Sequence, residues 1–233
     1  VCDGTDLQYI VSVELNTGND VWKTNRPPIR ASDGEYRKAY CTPIIIEVNG
    51  IRQAVIPGAQ WIAGYNPETG QELWRADHGS GFSITPMPAY QSGLVVFSTG
   101  YMKSSLVAVD PTGRGDITET GITWRSQPKK APNMPSLIGR DGKIYAISDR
   151  GILRVLEAAT GKVLNEKRIG CEIYYPIPLH LQECFKSLGH KSGDFPESEK
   201  AAAETLALPI SHEVDRAQQE YVVAMIQQFF LGE

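Results

Sequence analysis

Short alternating runs of apolar and polar residues recur through the first 170 positions and then stop. Residues 10–15, 61–65, 105–110 and 152–156 each read as a strand, and each leads into a Thr-Gly pair. The pairs are Thr17-Gly18, Thr69-Gly70, Thr112-Gly113 and Thr160-Gly161, at intervals of 52, 43 and 48 residues. Period-two runs punctuated by glycine turns predict hairpins. A repeat of roughly 40–50 residues predicts a row of small antiparallel sheets, the blade array of a β-propeller.

Further marks repeat in register. Trp22 and Trp74 stand four residues after their glycines, Trp124 follows an insertion at 114–121, and Asn165 occupies the fourth tryptophan position. A tryptophan there offers a large flat surface for docking one blade on the next. Asn16, Asn66 and Asp110 are positioned to hydrogen-bond the turn backbone. Pro43, Pro86 and Pro135 open the next strand set. Four turn markers but only about three full blade lengths imply an open arc with sheet flanks free to seek a partner, the runs 43–46 and 94–97 among them.

Beyond residue 170 the period becomes helical. Residues 179–188 place Leu181, Cys184, Phe185 and Leu188 on one face of a predicted helix that stops at Gly189. A second helix is predicted over 197–205 with Pro196 in its first turn, and a short strand over 206–210. Asp215 and Gln218 have capping-box spacing at the start of a last helix, whose stripe of Tyr221, Val222, Met225 and Phe229 reads as core packing.

Charge sharpens this seam. Residues 1–170 carry 19 basic and 17 acidic groups, residues 171–233 carry 4 and 10, and all four tryptophans precede the seam. A net charge of −4 supplies no general attraction to nucleic acid, and no apolar run approaches the length of a membrane helix. Cys2, Cys41, Cys171 and Cys184 are scattered without a C-x-x-C pair, so they suggest neither a zinc site nor a redox motif.

The strings at 66–74, 135–153 and 158–162 resemble the PQQ-like, quinoprotein-type β-propeller repeat over about 7–170. The fold class this implies is mainly β: an incomplete propeller of about three to four blades, followed by a small α/β segment. Family members include quinone-dependent dehydrogenases and outer-membrane assembly scaffolds. The dehydrogenases carry an adjacent cysteine pair that this chain lacks, and Asp33, Asp77 and Asp141 read as solvated turn residues.

The strings at 172–182, 193–199 and 206–210 resemble the C-terminal end of the DegT/StrS-type sugar aminotransferases, which use pyridoxal phosphate. That resemblance alone implies Tyr175 and His180 as substrate contacts. The family's Schiff-base lysine comes from a large domain that the resemblance does not include, and Lys186, Lys191 and Lys200 match no such motif. The expectation is a seam at 170/171 joining two truncated units, with no catalytic residue, metal or cofactor. The function implied is a binding or scaffold module that takes a protein partner or self-associates through open blade edges. The alternative is the remnant of a sugar aminotransferase. Compartment stays open, because the propeller family is typically exported and the aminotransferase family cytosolic.

Overall fold

The computed structural model describes residues 1–167, 177–204 and 214–231. Contacts divide the chain into two compact units, Val1–Glu166 and Lys167–Glu233.

In the first unit, consecutive strands pair with their sequence neighbours, as short turns between alternating segments require. Blade I holds β1 (Cys2–Asp3), β2 (Gln8–Val13) and β3 (Asp20–Asn25). Blade II holds β4 (Ile44–Val48), β5 (Ile51–Pro57), β6 (Trp61–Tyr65) and β7 (Glu72–Asp77). Blade III holds β8 (Ala89–Gln91), β9 (Leu94–Ser98) and β10 (Leu106–Val109), the insertion then supplies β11 (Gly115–Asp116) and the helical turn α1 (Thr118–Gly121), and β12 (Ile122–Arg125) completes the blade. Blade IV holds β13 (Ile138–Arg140), β14 (Lys143–Ile147), β15 (Leu153–Glu157) and β16 (Val163–Lys167). The sequence insertion is not a loose loop: β11 pairs in parallel with Trp74 and Arg75 and so extends blade II by a fifth strand.

Two-sided burial of the middle blades holds the array together. In β10, Val107 and Val109 join Val55, Ile62 and Trp74 of blade II, whereas Leu106 and Ala108 join Ile144 and Leu156 of blade IV. Strand alternation sends successive side chains to opposite faces, so one short strand serves two cores. Ile10 packs with Ile56, Ala63 and Tyr65, with Trp22 against them, closing blade I onto blade II. The architecture is an incomplete β-propeller. The run 94–97 is not an open flank: Val95, Val96 and Phe97 have no exposure, because blades II and IV cover both faces of β9. Exposed apolar strand residues lie instead at Val13 and Val21 on blade I, at Ile45 within the run 43–46, and at Val163 on blade IV.

Three of the four Thr-Gly turns share one hydrogen-bond frame, and the turn at Thr112-Gly113, next to the insertion, is not among them. The N–H of Gly70 donates to Asn66 O at 2.9 Å, Gly18 to Glu14 O at 2.8 Å, and Gly161 to Glu157 O at 2.9 Å. Asn66 Oδ1 accepts from the N–H groups of Glu68 and Thr69, and Asp110 Oδ1 from that of Thr112, as expected. Asn16 departs from expectation, since Glu14 holds the equivalent place and its carboxylate accepts the Thr17 hydroxyl at 2.7 Å. Each tryptophan then reaches the second residue of the following turn. Trp22 Nε1 donates to Pro67 O at 3.0 Å and Trp124 Nε1 to Ala158 O at 2.9 Å. Trp74 does so by relay: its Nε1 donates to Gln53 Oε1 at 2.6 Å, and Gln53 Nε2 donates to Pro111 O at 3.3 Å.

The second unit is mostly helical where it is described. The predicted helix over 179–188 is two 3-10 segments, Leu179–Leu181 and Glu183–Leu188, interrupted by extended Gln182 and ended by Gly189. Its apolar side chains Phe185 and Leu188 are exposed, so no packed face holds the stretch in α geometry. The second predicted helix is α2 (Pro196–Glu204). The last is α3 (Arg216–Leu231), opened by a reciprocal capping box in which Gln218 N–H donates to Asp215 Oδ1 at 2.8 Å and Asp215 N–H to Gln218 Oε1 at 3.0 Å. Its stripe is only partly covered: Val222 and Met225 are half-buried but Tyr221 is exposed. The predicted strand over 206–210 lies outside the described residues.

Candidate functional site

Within the first unit, three connections at the ends of outer strands and one hairpin line a cavity of about 730 Å³. Arg30 follows β3, residues 77–82 follow β7, Thr99 to Ser105 bridge β9 and β10, and Arg125 with Pro128 ends and follows β12. Propeller loops converge in this way because successive blades present the same strand ends side by side.

Asp77, expected as a solvated turn residue, is instead an ion-pair partner. Both its oxygens face the Arg30 guanidinium, with Arg30 Nη2 donating to Oδ1 at 3.1 Å. Oδ1 also accepts the Gly79 N–H at 2.8 Å. Arg30 is placed by its own N–H, which donates to Gln60 Oε1 at 2.8 Å, and its guanidinium lies 5.8 Å from the Trp61 ring. Asp33 caps the short 3-10 turn that follows it, while Asp141 remains exposed.

His78 forms the inner wall. Its Nε2 lies 2.8 Å from Gly58 O, which makes that nitrogen the protonated one and leaves Nδ1 as an acceptor without a partner. The ring packs edge-on against Phe97 at 5.3 Å. Burial pushes the imidazole down to about 4 despite the Gly58 carbonyl, so it is neutral at pH 7. Arg125 Nη2 donates to His78 O at 3.0 Å, and partial burial holds the guanidinium below its ordinary value. The rim carries Lys103, Tyr101 and Met102.

A second polar cluster is sealed inside the blades. Arg26 Nε meets Asp3 Oδ1 at 2.9 Å, with both side chains almost fully covered, and Arg26 Nη2 donates to Ile56 O at 3.3 Å. Burial raises the Asp3 carboxyl despite Arg26, and it pushes the Cys41 thiol and the Tyr65 hydroxyl each up to about 12. A thiol that holds its proton so firmly is a poor nucleophile.

No hydrogen bond links the His78 ring to a hydroxyl or thiol among the described residues, and Thr99 Oγ1 is occupied by the Ser105 N–H at 2.9 Å. No group of three or more His, Cys, Asp or Glu side chains able to hold a metal occurs among the described residues. None of these cavity residues carried a repeat mark. The sequence signal available for them was the glycine- and serine-rich stretch at 77–83, directly after a blade's outer strand.

The tail residues behave differently. Tyr175 lies outside the described residues. His180 is buried, with Nε2 3.0 Å from Glu199 Oε1 and its ring 4.9 Å from Phe195. Glu199 also accepts the Gly193 N–H at 2.7 Å and the Ser192 hydroxyl at 2.9 Å, and these bonds hold its carboxyl below the usual range. His180 is thus tied into a local network within its own unit.

The described lysines of the tail and the described cysteines do not fit the cofactor sites of the two resembling families. Lys186, Lys191 and Lys200 are all exposed, and Lys186 pairs with Glu183. None therefore sits in a site where a pyridoxal aldehyde is held. Cys2, Cys41 and Cys184 are free thiols far apart in sequence, and the one in the propeller core is deeply covered. They do not fit the adjacent pair of a quinone site.

Comparisons with known proteins give two family matches that overlap over residues 154–172. A family model of the DegT/DnrJ/EryC1/StrS aminotransferases matches residues 154–227. The "Pleiotropic regulatory protein" of Geobacillus stearothermophilus is 52% identical over 67 residues, 29% of this chain and 18% of that protein. The erythromycin biosynthesis sensory transduction protein EryC1 of Saccharopolyspora erythraea is 38% identical over 64 residues, 28% of this chain and 18% of its own length. This chain therefore spans less than a fifth of either curated relative.

Among solved structures, the quinohemoprotein alcohol dehydrogenase of Comamonas testosteroni superimposes with a TM-score of 0.50 at 14% identity, over 69% of this chain and 32% of that one. BamB from Moraxella catarrhalis gives a TM-score of 0.48 at 19% identity, over 70% and 46%. At such identities the likeness concerns the fold alone. The family model described as outer membrane protein assembly factor BamB, a PQQ-type repeat family, matches residues 7–172. With well over half its length under that match, the chain belongs to this PQQ-like repeat family and carries a DegT-type aminotransferase-like segment at its end.

Proposed function

We propose that this chain is a non-catalytic binding module. Its propeller blades present loops to a partner, and its aminotransferase-like tail, from about residue 171, carries no transamination. The observation that carries the reading is the cavity among the blade ends. It gathers Arg30, Lys103 and Arg125 around a neutral histidine whose ring makes no hydrogen bond to a hydroxyl or thiol among the described residues. Such a constellation attracts and orients but has no nucleophile-base pair. The two family matches, of different kinds and over different ends of the chain, support a junction of two partial units.

A second reading rests on the match at 154–227: the tail is the remnant of a sugar aminotransferase, and Tyr175 and His180 are its substrate contacts. One experiment separates the two. The intact chain is incubated with pyridoxal phosphate, reduced with borohydride and mapped by peptide mass. The binding-module reading expects scattered substoichiometric labelling of exposed lysines. A single lysine labelled stoichiometrically would revive the aminotransferase reading.

A further inference from the structure

The charges around the cavity do not cancel. Asp77 is the one carboxylate in the lining; it is bonded to Arg30 and to the Gly79 N–H and also acts at longer range on Arg125, so one negative charge faces three cations, Arg30, Lys103 and Arg125. Arg125 uses one guanidinium nitrogen on His78 O and forms no ion pair among the described residues, and neither does the Lys103 ammonium. The lining thus keeps a net positive excess, with Arg125 and Lys103 contributed by different blade connections and neither in a direct ion pair among the described residues. Arg125 is placed by a backbone carbonyl rather than by an acid, which leaves its remaining donors for something else. Beside them stand Tyr101 and Met102, both well exposed, with Phe82 edge-on to Tyr101 at 6.4 Å. A volume of about 730 Å³ lies within the range of small-molecule sites.

We propose that this cavity binds a small organic anion. A carboxylate or phosphate head meets Arg125 and Lys103, and an apolar body lies against Tyr101 and Met102. Guanidinium and ammonium donors make charge-assisted hydrogen bonds to oxyanions, about twice as strong as neutral ones. The aromatic and thioether surfaces favour an apolar body over a bare ion. Gly79 and Ser80, also in the lining, carry small or no side chains and leave room for the head close to the backbone. This deepens the binding-module reading and rests on it for the ligand leaving unchanged.

The test is calorimetric titration of the intact chain at low, constant ionic strength with phenyl phosphate, benzoate and inorganic phosphate. Saturable binding of phenyl phosphate or benzoate, tighter than that of inorganic phosphate, is expected, and the tighter of the two identifies the head group. Lys103→Gln, which removes a side chain with no ion pair among the described residues, should weaken binding about tenfold, as should Arg125→Gln. Lys143→Gln on blade IV, outside the cavity, should change nothing. Absence of saturable binding overturns the proposal. So does binding that survives both cavity variants, or that falls equally with Lys143→Gln. A stoichiometric pyridoxyl-lysine in the labelling experiment sinks the binding-module reading and leaves this titration to be judged by itself.

Discussion

His78 carries a pH dependence that its surroundings dictate. In the unfolded chain the imidazole titrates near 6.5, whereas in the fold it is held down to about 4. Between those values the unfolded state binds the proton more readily. The stability that depends on a neutral His78 is intact above pH 6.5 and declines as pH falls towards 4. The full loss is on the order of 3 kcal/mol. Urea unfolding midpoints across this window should fall with pH, and a His78→Asn variant should flatten that part of the slope. At the Asp3–Arg26 pair, Asp3→Asn leaves a buried guanidinium without its counter-charge and should cost about 3–5 kcal/mol. Arg26→Met combined with Asp3→Leu should cost less than the two single changes together, measured by the same unfolding curves. Neither pair nor histidine was legible in the sequence. Asp3 and Arg26 sit 23 positions apart with no repeat mark, and His78 differs from a surface histidine only through Gly58 and Phe97, which approach from other strands.

At the scale of the element, the Thr-Gly turn and its tryptophan were readable because the same backbone problem is solved repeatedly. At Gly161 φ is +69°, and a Cβ there would stand 2.6 Å from the Trp124 ring; at Gly70 φ is +73° and the Trp22 ring would be 2.4 Å away. Glycine is required on both counts. Gly70→Ala and Gly161→Ala should each destabilise by roughly 2–4 kcal/mol in denaturant unfolding. Trp22→Phe or Trp124→Phe loses one hydrogen bond, about 1 kcal/mol beyond the packing change. Trp74→Phe should cost more, about 3 kcal/mol, because it leaves the Gln53 amide oxygen buried and unpaired. The Gln53 relay was not legible, since glutamine on a strand carries no turn or period signal. The capping box of α3 was legible because it is local: two side chains three residues apart satisfy each other's backbone. The stretch 179–188 misled for the opposite reason. Its apolar spacing is helical, but spacing makes a helix only where something covers the stripe.

For the whole molecule, the seam was the plainest message of the sequence, since blade marks and tryptophans end where the acidic, helical composition begins. The cavity was the least legible feature, because it is assembled from connections whose residues never repeat. At the same scale, the middle blades are the most completely covered part. β9 and β10 are covered on both faces, whereas blade I leaves Val13 and Val21 exposed on its far side. The central claim is that an incomplete propeller and an unrelated tail coexist as separate folding units. Native-state hydrogen exchange of the intact chain under increasing denaturant tests it most directly. Amides of blades II to IV should lose protection together in one step, and amides of α2 and α3 in another at a different free energy. A single shared transition across residues 44–231 would contradict the account.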